Sequence, residues 1–359
     1  MFILTLLEFL FKIACYLGFF LALSLLMVYF MQNRMLYIPD APNQAFRYPE
    51  NNPKTYRNPS ERNMSYEDVI VTTSDGLKLA GWFIKQKNPS SHETVIYFHE
   101  NAGNIGNRLY AIEALYFELE VNILIVGYRG YGHSEGTPSE TGLEQDADAV
   151  FQYALNHKEI NKQKLFIIGK SLGGAVAIQL AEKKQEQICG MILENTFCSI
   201  SEMVDHIFPL LSYFKNIIQR IYWPSIERIP SIKVPLLFIV GLSDEIVPPT
   251  HIGRLYEAAK SAAFKQIYQV HGGMHNDTWF KGGKDYIYAI KDFIDKAQEH
   301  KLNNRGSDAS GNNRLSYADN YHRDSINNHG QGMPNQGGSG GAATGAQLRR
   351  VQNIGDNFQ

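Results

Sequence analysis

Three kinds of hydrophobic patterning follow one another along the chain. From Ile13 to Met31 the residues are apolar on every side and uncharged, a stretch long enough to cross a bilayer as one helix. Glu8 and Lys12 interrupt the apolar residues before it. A cleaved signal peptide is the competing reading, but bulky Met31-Gln32-Asn33-Arg34 stands where small residues would mark a cleavage site, which favours an uncleaved anchor. From 41 to 301, short apolar runs alternate with amphipathic stretches. From 302 to 359 the chain is rich in Asn, Gly, Ser and Gln and nearly lacks large apolar residues. Such a segment buries too little surface to offset its ordering entropy, so it reads as a disordered tail. The expected organisation is therefore an anchor with its flanks (1–40), one domain (41–301) and a tail (302–359).

Within the domain, 68–72 and 78–84 alternate as two strands of a hairpin, with Ser74-Asp75-Gly76 at the turn. Strands follow at 94–98, 122–126, 165–168, 191–193, 235–240 and 266–270. Helices are expected at 105–119, 141–156, 172–183, 252–259 and 284–298. Thr141 is read as the N-cap of its helix, with Glu144 completing a capping box. Strands interleaved with helices predict an α/β fold, a mostly parallel sheet with an antiparallel start. The stretch 199–229 breaks the alternation with Ile207, Phe208, Leu210, Leu211, Tyr213, Phe214, Ile217, Ile218, Ile221, Tyr222 and Trp223. It reads either as a short helical cap (about 198–230) or as a pair of core-packing helices. Proximity to the candidate site favours a cap that meets an apolar substrate or the membrane surface.

Composition narrows the function classes. A formal net charge of −2 with no basic run gives no reason to expect nucleic-acid binding. Cys189 and Cys198 flank a strand that would hold them ~20 Å apart, too far for a disulfide, and Cys15 lies in the anchor. All three are expected as free thiols. No cluster has metal-ligand spacing, and no cofactor is expected.

The candidate chemistry begins at Gly169-Lys170-Ser171-Leu172-Gly173, which follows a β-branched run and opens a helix. Gly-x-Ser-x-Gly in a strand–turn–helix setting is a nucleophile elbow, the serine exposed on a strained turn. Serine needs a base, and the base needs a carboxylate to fix its tautomer. In α/β-hydrolases these arrive in the order Ser, acid, His, from loops after late strands. Asp244 and Glu245 follow one such strand, and the shorter, earlier Asp244 is favoured as the acid. His271 and His275 follow another. His275 is favoured as the base because Gly272-Gly273 lets the loop swing it over Ser171. The oxyanion donors are assigned to the N–H of Leu172 and to that of Asn101 or Ala102, between which the sequence does not decide. The Gly-rich loop 127–136 lacks phosphate-binding spacing. Its Arg129 reads as a pin for nearby carbonyls and carboxylates, and His133 and Ser134 read as solvated. His99 reads as orienting its loop.

These segments resemble the membrane-anchored α/β-hydrolases of the abhydrolase-domain-containing protein 13 type, which include fungal bud-emergence and plant wavy-growth homologues. The matching runs are His-Glu-Asn-Ala-Gly-Asn-Ile (99 to 105), Tyr-Arg-Gly-Tyr-Gly-x-Ser-Glu-Gly (128 to 136), Gly-Lys-Ser-Leu-Gly-Gly-Ala-Val (169 to 176), Glu-Asn-Thr-Phe (194 to 197), Gly-Leu-Ser-Asp (241 to 244), Val-Pro-Pro (247 to 249) and Met-His-Asn-Asp-Thr-Trp (274 to 279). The resemblance implies an α/β-hydrolase fold and a serine hydrolase with Ser171, Asp244 and His275 in the three roles. It also implies kinship with enzymes that cleave fatty-acyl thioesters from proteins. Many members have His-Gly where this chain has His99-Glu100, and an inward carboxylate there would oppose the oxyanion. The expected function is a single-pass, monomeric membrane hydrolase of a lipid-like or acylated-protein ester or thioester. A glycerol-ester lipase and a non-catalytic scaffold are the rivals. Lys12, Arg34 and Arg47 bias the domain slightly toward the cytosol, whereas the family is usually described as lumenal. Asn63-Met64-Ser65 and Asn276-Asp277-Thr278 are sequons on which the side can be tested.

Overall fold

The computed structural model describes residues 2–309, with side chains to 304; the expected disordered tail (302–359) is corrected at its start, since 302–309 continue the last helix, and the rest of it lies outside the described residues. Helix α1 (Phe2–Leu36) extends the expected apolar span at both ends and buries none of its side chains. It is the one helix among the described residues long and apolar enough to cross a membrane.

Strands β1 (Tyr66–Thr72), β2 (Lys78–Ile84) and β3 (Thr94–Phe98) lead into helix α2 (Leu109–Glu118) and strand β4 (Asn122–Val126). Helix α3 (Glu140–Asn156), strand β5 (Leu165–Lys170), helix α4 (Leu172–Lys184) and strand β6 (Gly190–Glu194) follow. Four short helices, α5 (Ile200–Ile207), α6 (Pro209–Ser212), α7 (Lys215–Ile218) and α8 (Ser225–Arg228), precede β7 (Leu236–Gly241). Helix α9 (Thr250–Ala258), strand β8 (Lys265–Val270) and helix α10 (Thr278–Ala309, kinked at Gly283) complete the fold. The eight strands form one sheet in the order β1-β2-β4-β3-β5-β6-β7-β8. β1 and β2 run antiparallel to each other, β2 is antiparallel to β4, and β3 to β8 are parallel. This is the mixed sheet with an antiparallel start that the pattern predicts.

A sheet covered on both faces turns strand alternation into continuous apolar runs. In β5, Leu165 and Ile167 enter a core with α3, α4 and α9, while Phe166 and Ile168 enter the opposite core with α2 and α10. Each fully buried large side chain contributes roughly 1.5–3 kcal/mol of transfer free energy. Cys198 lies in the first core and Cys189 in the second, on opposite faces of the sheet. The chain leaves β3 toward β4 on one side, then crosses to β5 on the other. The carboxyl ends of β3 and β5 therefore flank a topological switch point, where open α/β sheets leave a crevice.

Several local expectations are corrected. Ser139, not Thr141, caps α3: its backbone is extended and its hydroxyl accepts from Gly142 N–H at 3.1 Å. The expected helix at 105–119 begins as a 3₁₀ turn over Ile105–Arg108, capped by Asn104, before α2 starts. Ser134 is buried, donating to the Gly127 carbonyl at 2.7 Å and accepting from Ala80 N–H at 3.0 Å. The stretch 199–229 forms four short helices instead of a pair, with Met203, Ile221, Trp223 and Ile229 packed into the first core. It leaves and returns at one point, through Ile200 N–H to Tyr222 O and Ile226 N–H to Cys198 O, both 2.9 Å. Met203, Ile218, Ile221 and Trp223 are buried, whereas Leu210, Tyr213 and Ile217 are about four-fifths exposed, at 81%, 84% and 79%.

Arg129 is a pin, held by buried Asp146 (Nε to Oδ1, 2.8 Å) and by Asp75 (Nη1 to Oδ2, 2.9 Å). Burial pushes the Asp146 carboxyl up to about 6, against the opposing pull of Arg129. Arg129→Met strands that carboxyl and should cost about 3 kcal/mol in urea unfolding at pH 7. A raised carboxyl pKa destabilises the fold only where the group is ionised. Without Arg129 the carboxyl protonates at a higher pH than in wild type, so the deficit should shrink as pH falls toward about 6 and stay constant below it, where both folded forms hold Asp146 neutral.

Candidate active site

The turn between β5 and α4 forces Ser171 to φ 53°, ψ −121°, a conformation that non-glycine residues avoid and that only a rigid surrounding sustains. Its N–H donates to Glu194 O at 2.9 Å, and Thr196 Oγ1 donates to its carbonyl at 2.7 Å. The turn also needs close approach. A Cβ at Gly173 would land on the Phe98 carbonyl, and one at Gly169 would strike the Gly173 backbone. The amino end of α4 is thereby pressed against the loop after β3.

Two other loops converge on this turn. After β7, Asp244 Oδ1 accepts from Ile246 N–H (2.9 Å) and Val247 N–H (2.8 Å), which leaves Oδ2 directed at His275 Nδ1, 2.8 Å away. After β8, His275 Nε2 lies 2.9 Å from Ser171 Oγ. Each of the three residues is buried. The assigned tautomer follows from the partners: Nδ1–H donates to the carboxylate, and Nε2 accepts the serine proton. Glu245 is exposed and instead accepts from His275 N–H at 3.0 Å, while His271 is exposed near the end of β8. The geometry thus unites Ser171, Asp244 and His275 and leaves both alternatives outside.

Asn195 is a residue that pattern reasoning assigns no role. Its φ is 46°, and its amide donates to His275 O (3.1 Å) and Thr278 Oγ1 (2.9 Å) while accepting from Gly241 N–H (2.9 Å). One side chain after β6 therefore ties the histidine loop to the strand that carries the acid.

Leu172 opens α4, so its N–H has no acceptor within the helix. Neither Asn101 nor Ala102 has an acceptor for its N–H among the described residues. The loop that carries them is clamped from outside. Ile38 N–H donates to Asn101 O (3.1 Å), Gly103 N–H donates to Ile38 O (3.0 Å), Asn101 Nδ2 reaches Leu36 O (2.6 Å), and Tyr131 OH reaches Asn101 O (2.7 Å). His99 is buried with Nδ1 2.7 Å from Glu100 O. Burial, then the nearby Arg108, pushes its pKa down to about 3, so it is a neutral loop-orienting group.

Glu100 does not act as a free charge beside this loop. Its carboxylate lies 2.8 Å from Arg108 Nε, without hydrogen-bond alignment, and 3.5 Å from Lys170 Nζ. Lys170 is 3.2 Å from Glu194, whose other oxygen accepts from Tyr286 OH at 2.7 Å. Two cations thus balance two carboxylates in a buried cluster. Burial alone would raise the Glu100 carboxyl, but Arg108 and Lys170 outweigh it and hold it at about 2, below the usual 4.5. A depressed carboxyl stabilises the fold above its ordinary pKa and loses that contribution as pH falls. Glu100→Gln should therefore cost about 3 kcal/mol at pH 7, and denaturation at a series of pH values should show the gap to wild type closing from about 4.5 toward 2.

Cys198, Glu202 and His251 bring candidate metal-ligand atoms within 4.8 Å of one another. Their lone pairs are already engaged. His251 Nδ1 accepts from Cys198 N–H at 3.1 Å, and Glu202 pairs with Arg254 through both oxygens. Burial, the largest influence, also pushes the Cys198 thiol up to about 12, away from the thiolate a metal needs.

A family model described as serine aminopeptidase, S33, matches residues 90–227. The chain is 36% identical over 284 residues to alpha/beta hydrolase domain-containing protein WAV2 of Arabidopsis thaliana, covering 75% of this chain and 89% of the relative. It is 40% identical over 252 residues to protein bem46 of Schizosaccharomyces pombe, with coverage of 69% and 82%. It is also 40% identical over 274 residues to an uncharacterized membrane protein of Saccharomyces cerevisiae, with coverage of 76% and 92%. Among solved structures, the Pyrococcus furiosus esterase Pf2001 shares the fold at TM-score 0.55 and 21% identity, over 67% of this chain and 94% of that one.

Proposed function

The chain belongs to the α/β-hydrolase family that includes WAV2 and bem46, and we propose that it is a membrane-anchored serine hydrolase working through an acyl-enzyme on Ser171. The observation that carries this reading is the unbroken relay from Ser171 Oγ to His275 Nε2 (2.9 Å) and from His275 Nδ1 to Asp244 Oδ2 (2.8 Å), set in a strained elbow. His275 removes the hydroxyl proton as Ser171 Oγ bonds to an acyl carbonyl, and Asp244 holds the imidazole and balances its charge. The N–H of Leu172 and that of Asn101 or Ala102 receive the oxyanion. Collapse expels an alcohol or thiol, protonated by His275. Water, deprotonated by the same imidazole, then frees the acid and restores the hydroxyl.

The substrate in this reading is a carboxylic ester or thioester on a lipid-like or acylated-protein molecule at the membrane, with α1 as the anchor and the chain acting as a monomer. An acyl-cysteine of a membrane protein is the leading candidate, supported by the anchor, the apolar cap and the resemblance to thioesterases.

A fluorophosphonate probe should label the full chain in detergent, and Ser171→Ala should abolish labelling. Asp244→Asn should slow it by roughly 10⁴-fold through the wrong histidine tautomer. Equal labelling of wild type and Ser171→Ala, or none of either, would leave a non-catalytic scaffold. Offering acyl-cysteine peptides and glycerol esters in the same vesicles separates thioesterase from lipase.

A further inference from the structure

The apolar part of α1 ends at Met31, after roughly 28 Å of helix from Ile13 at 1.5 Å per residue, about the thickness of a bilayer's hydrocarbon core. Gln32, the next residue, is bonded to the cap. Its Nε2 donates to Ile218 O at 2.7 Å, and its Oε1 accepts from Arg220 N–H at 2.8 Å. The Arg220 guanidinium also sits 4.9 Å from the centre of the Tyr29 ring. Residues 218–220 of the cap are therefore fixed at the height where the apolar span gives way to polar residues.

Immediately before them, backbone bonds from Leu211 to Phe208, Phe214 to Leu211 and Ile218 to Phe214 wind 208–218 into near-continuous helical turns. On such a path Leu210, Tyr213 and Ile217 are spaced by three and four residues and share one face. That face is exposed, while Leu211 and Phe214 are half-buried and Ile218 is buried. Three large apolar side chains in one stripe, beside an aromatic–arginine pair at the end of a spanning helix, have the composition of an interfacial segment.

We propose that Leu210, Tyr213 and Ile217 are seated in the headgroup–acyl boundary of the leaflet from which α1 emerges, so that the cap is a second contact with the bilayer. This rests on the anchored reading of α1. The consequence for the site follows from residues 36–38. Tyr37 OH accepts from the Trp223 indole at 3.0 Å, and Leu36 and Ile38 hold the loop 101–103. The loop offering oxyanion donors is thus braced against the same short segment that the cap rests on, close to the lipid surface. The geometry favours an acyl group that is itself held in that leaflet.

The test uses the full chain in vesicles of phosphatidylcholine brominated on its acyl chains. Leu210→Trp should gain fluorescence that bromolipid quenches, beyond the baseline of wild type with Trp82, Trp223 and Trp279, and that aqueous iodide leaves intact. Quenching by iodide would put the face in water. Shielding from both quenchers would put another protein or a second copy of this chain over it. Either result overturns the inference. Failure of wild type to float with the vesicles would sink the anchored reading, and this inference with it, whereas flotation with an unquenched Trp signal sinks the inference alone. Losing two buried apolar contacts, Leu210→Ser/Ile217→Ser should lower turnover of a vesicle-held ester roughly tenfold and leave a short soluble ester unaffected. Unchanged turnover of both would remove the link to substrate access.

Discussion

The left-handed turn at Ser171 is the constraint around which the rest of the protein is arranged. A residue with a side chain adopts φ 53° only when its neighbours leave nothing easier. Here β5 and α4 run so close that glycine is required on both sides of the turn, and the Phe98 carbonyl closes off the space beside Gly173. Glu194 and Thr196 then hold the serine backbone from the adjacent strand. The same closeness that strains the serine brings the loop after β3 against the amino end of α4. The strain at Ser171 and the approach of the loop after β3 to the amino end of α4 are consequences of one packing contact.

Around that turn the sheet works as a frame with polar ties. Asp244, Asn195 and His275 leave the ends of β7, β6 and β8, and Asn195 spans the gap between the outer two. Beneath them, Glu100, Lys170, Glu194 and Arg108 form a buried cluster of balanced charge that joins the loop after β3 to β5, β6 and, through Tyr286, α10. Buried ion pairs seldom add much stability over apolar packing. Their role here is positional, because Glu100, Lys170 and Glu194 each sit within two residues of the end of β3, β5 or β6, and Arg108 ties the turn before α2 to them. The Glu100 carboxylate, a threat to an oxyanion when read in isolation, is balanced by Arg108 and by Lys170, the residue before Ser171.

Much of this was legible in the residue order, for definite reasons. Parallel strands buried on both faces leave unbroken apolar runs, so β3, β4 and β5 stand out, and the residues that follow strand ends are natural candidates for a site. Ser171, Asp244 and His275 were therefore findable, and Glu245 and His271 could be weighed against them by side-chain length and loop reach. Ties between distant segments were not legible. Asn195 and Thr196 carry no periodic signal; their roles exist only once β6 lies between β5 and β7. Ser134 looks like any loop serine until Gly127 and Ala80 close on it. The cap's apolar residues divide into buried and exposed sets only after Gln32 fixes where the segment lies.

The segment at 36–38 has the least conspicuous sequence and the widest reach. Three consecutive residues contact the anchor's end, the cap and the loop that presents Asn101 and Ala102. Tyr37 is buried, and burial with the nearby Glu140 and Glu144 drives its phenol far above the ordinary value while the Trp223 indole opposes the shift, so it serves as a neutral acceptor. Removing the anchor at or beyond Leu36 would therefore take away more than a tether. It would take the Leu36 carbonyl from the Asn101 side chain and, once the cut passes Ile38, the Ile38 backbone from Asn101 O and Gly103 N–H, leaving Tyr131 OH as the remaining tie on the Asn101 carbonyl. Backbone groups held in a bridge cost little further entropy when a charge develops beside them, whereas a loop that must settle first gives up part of its stabilising energy. The anchor and the site are in this sense a single structural unit, joined through hydrogen bonds that no local pattern announces.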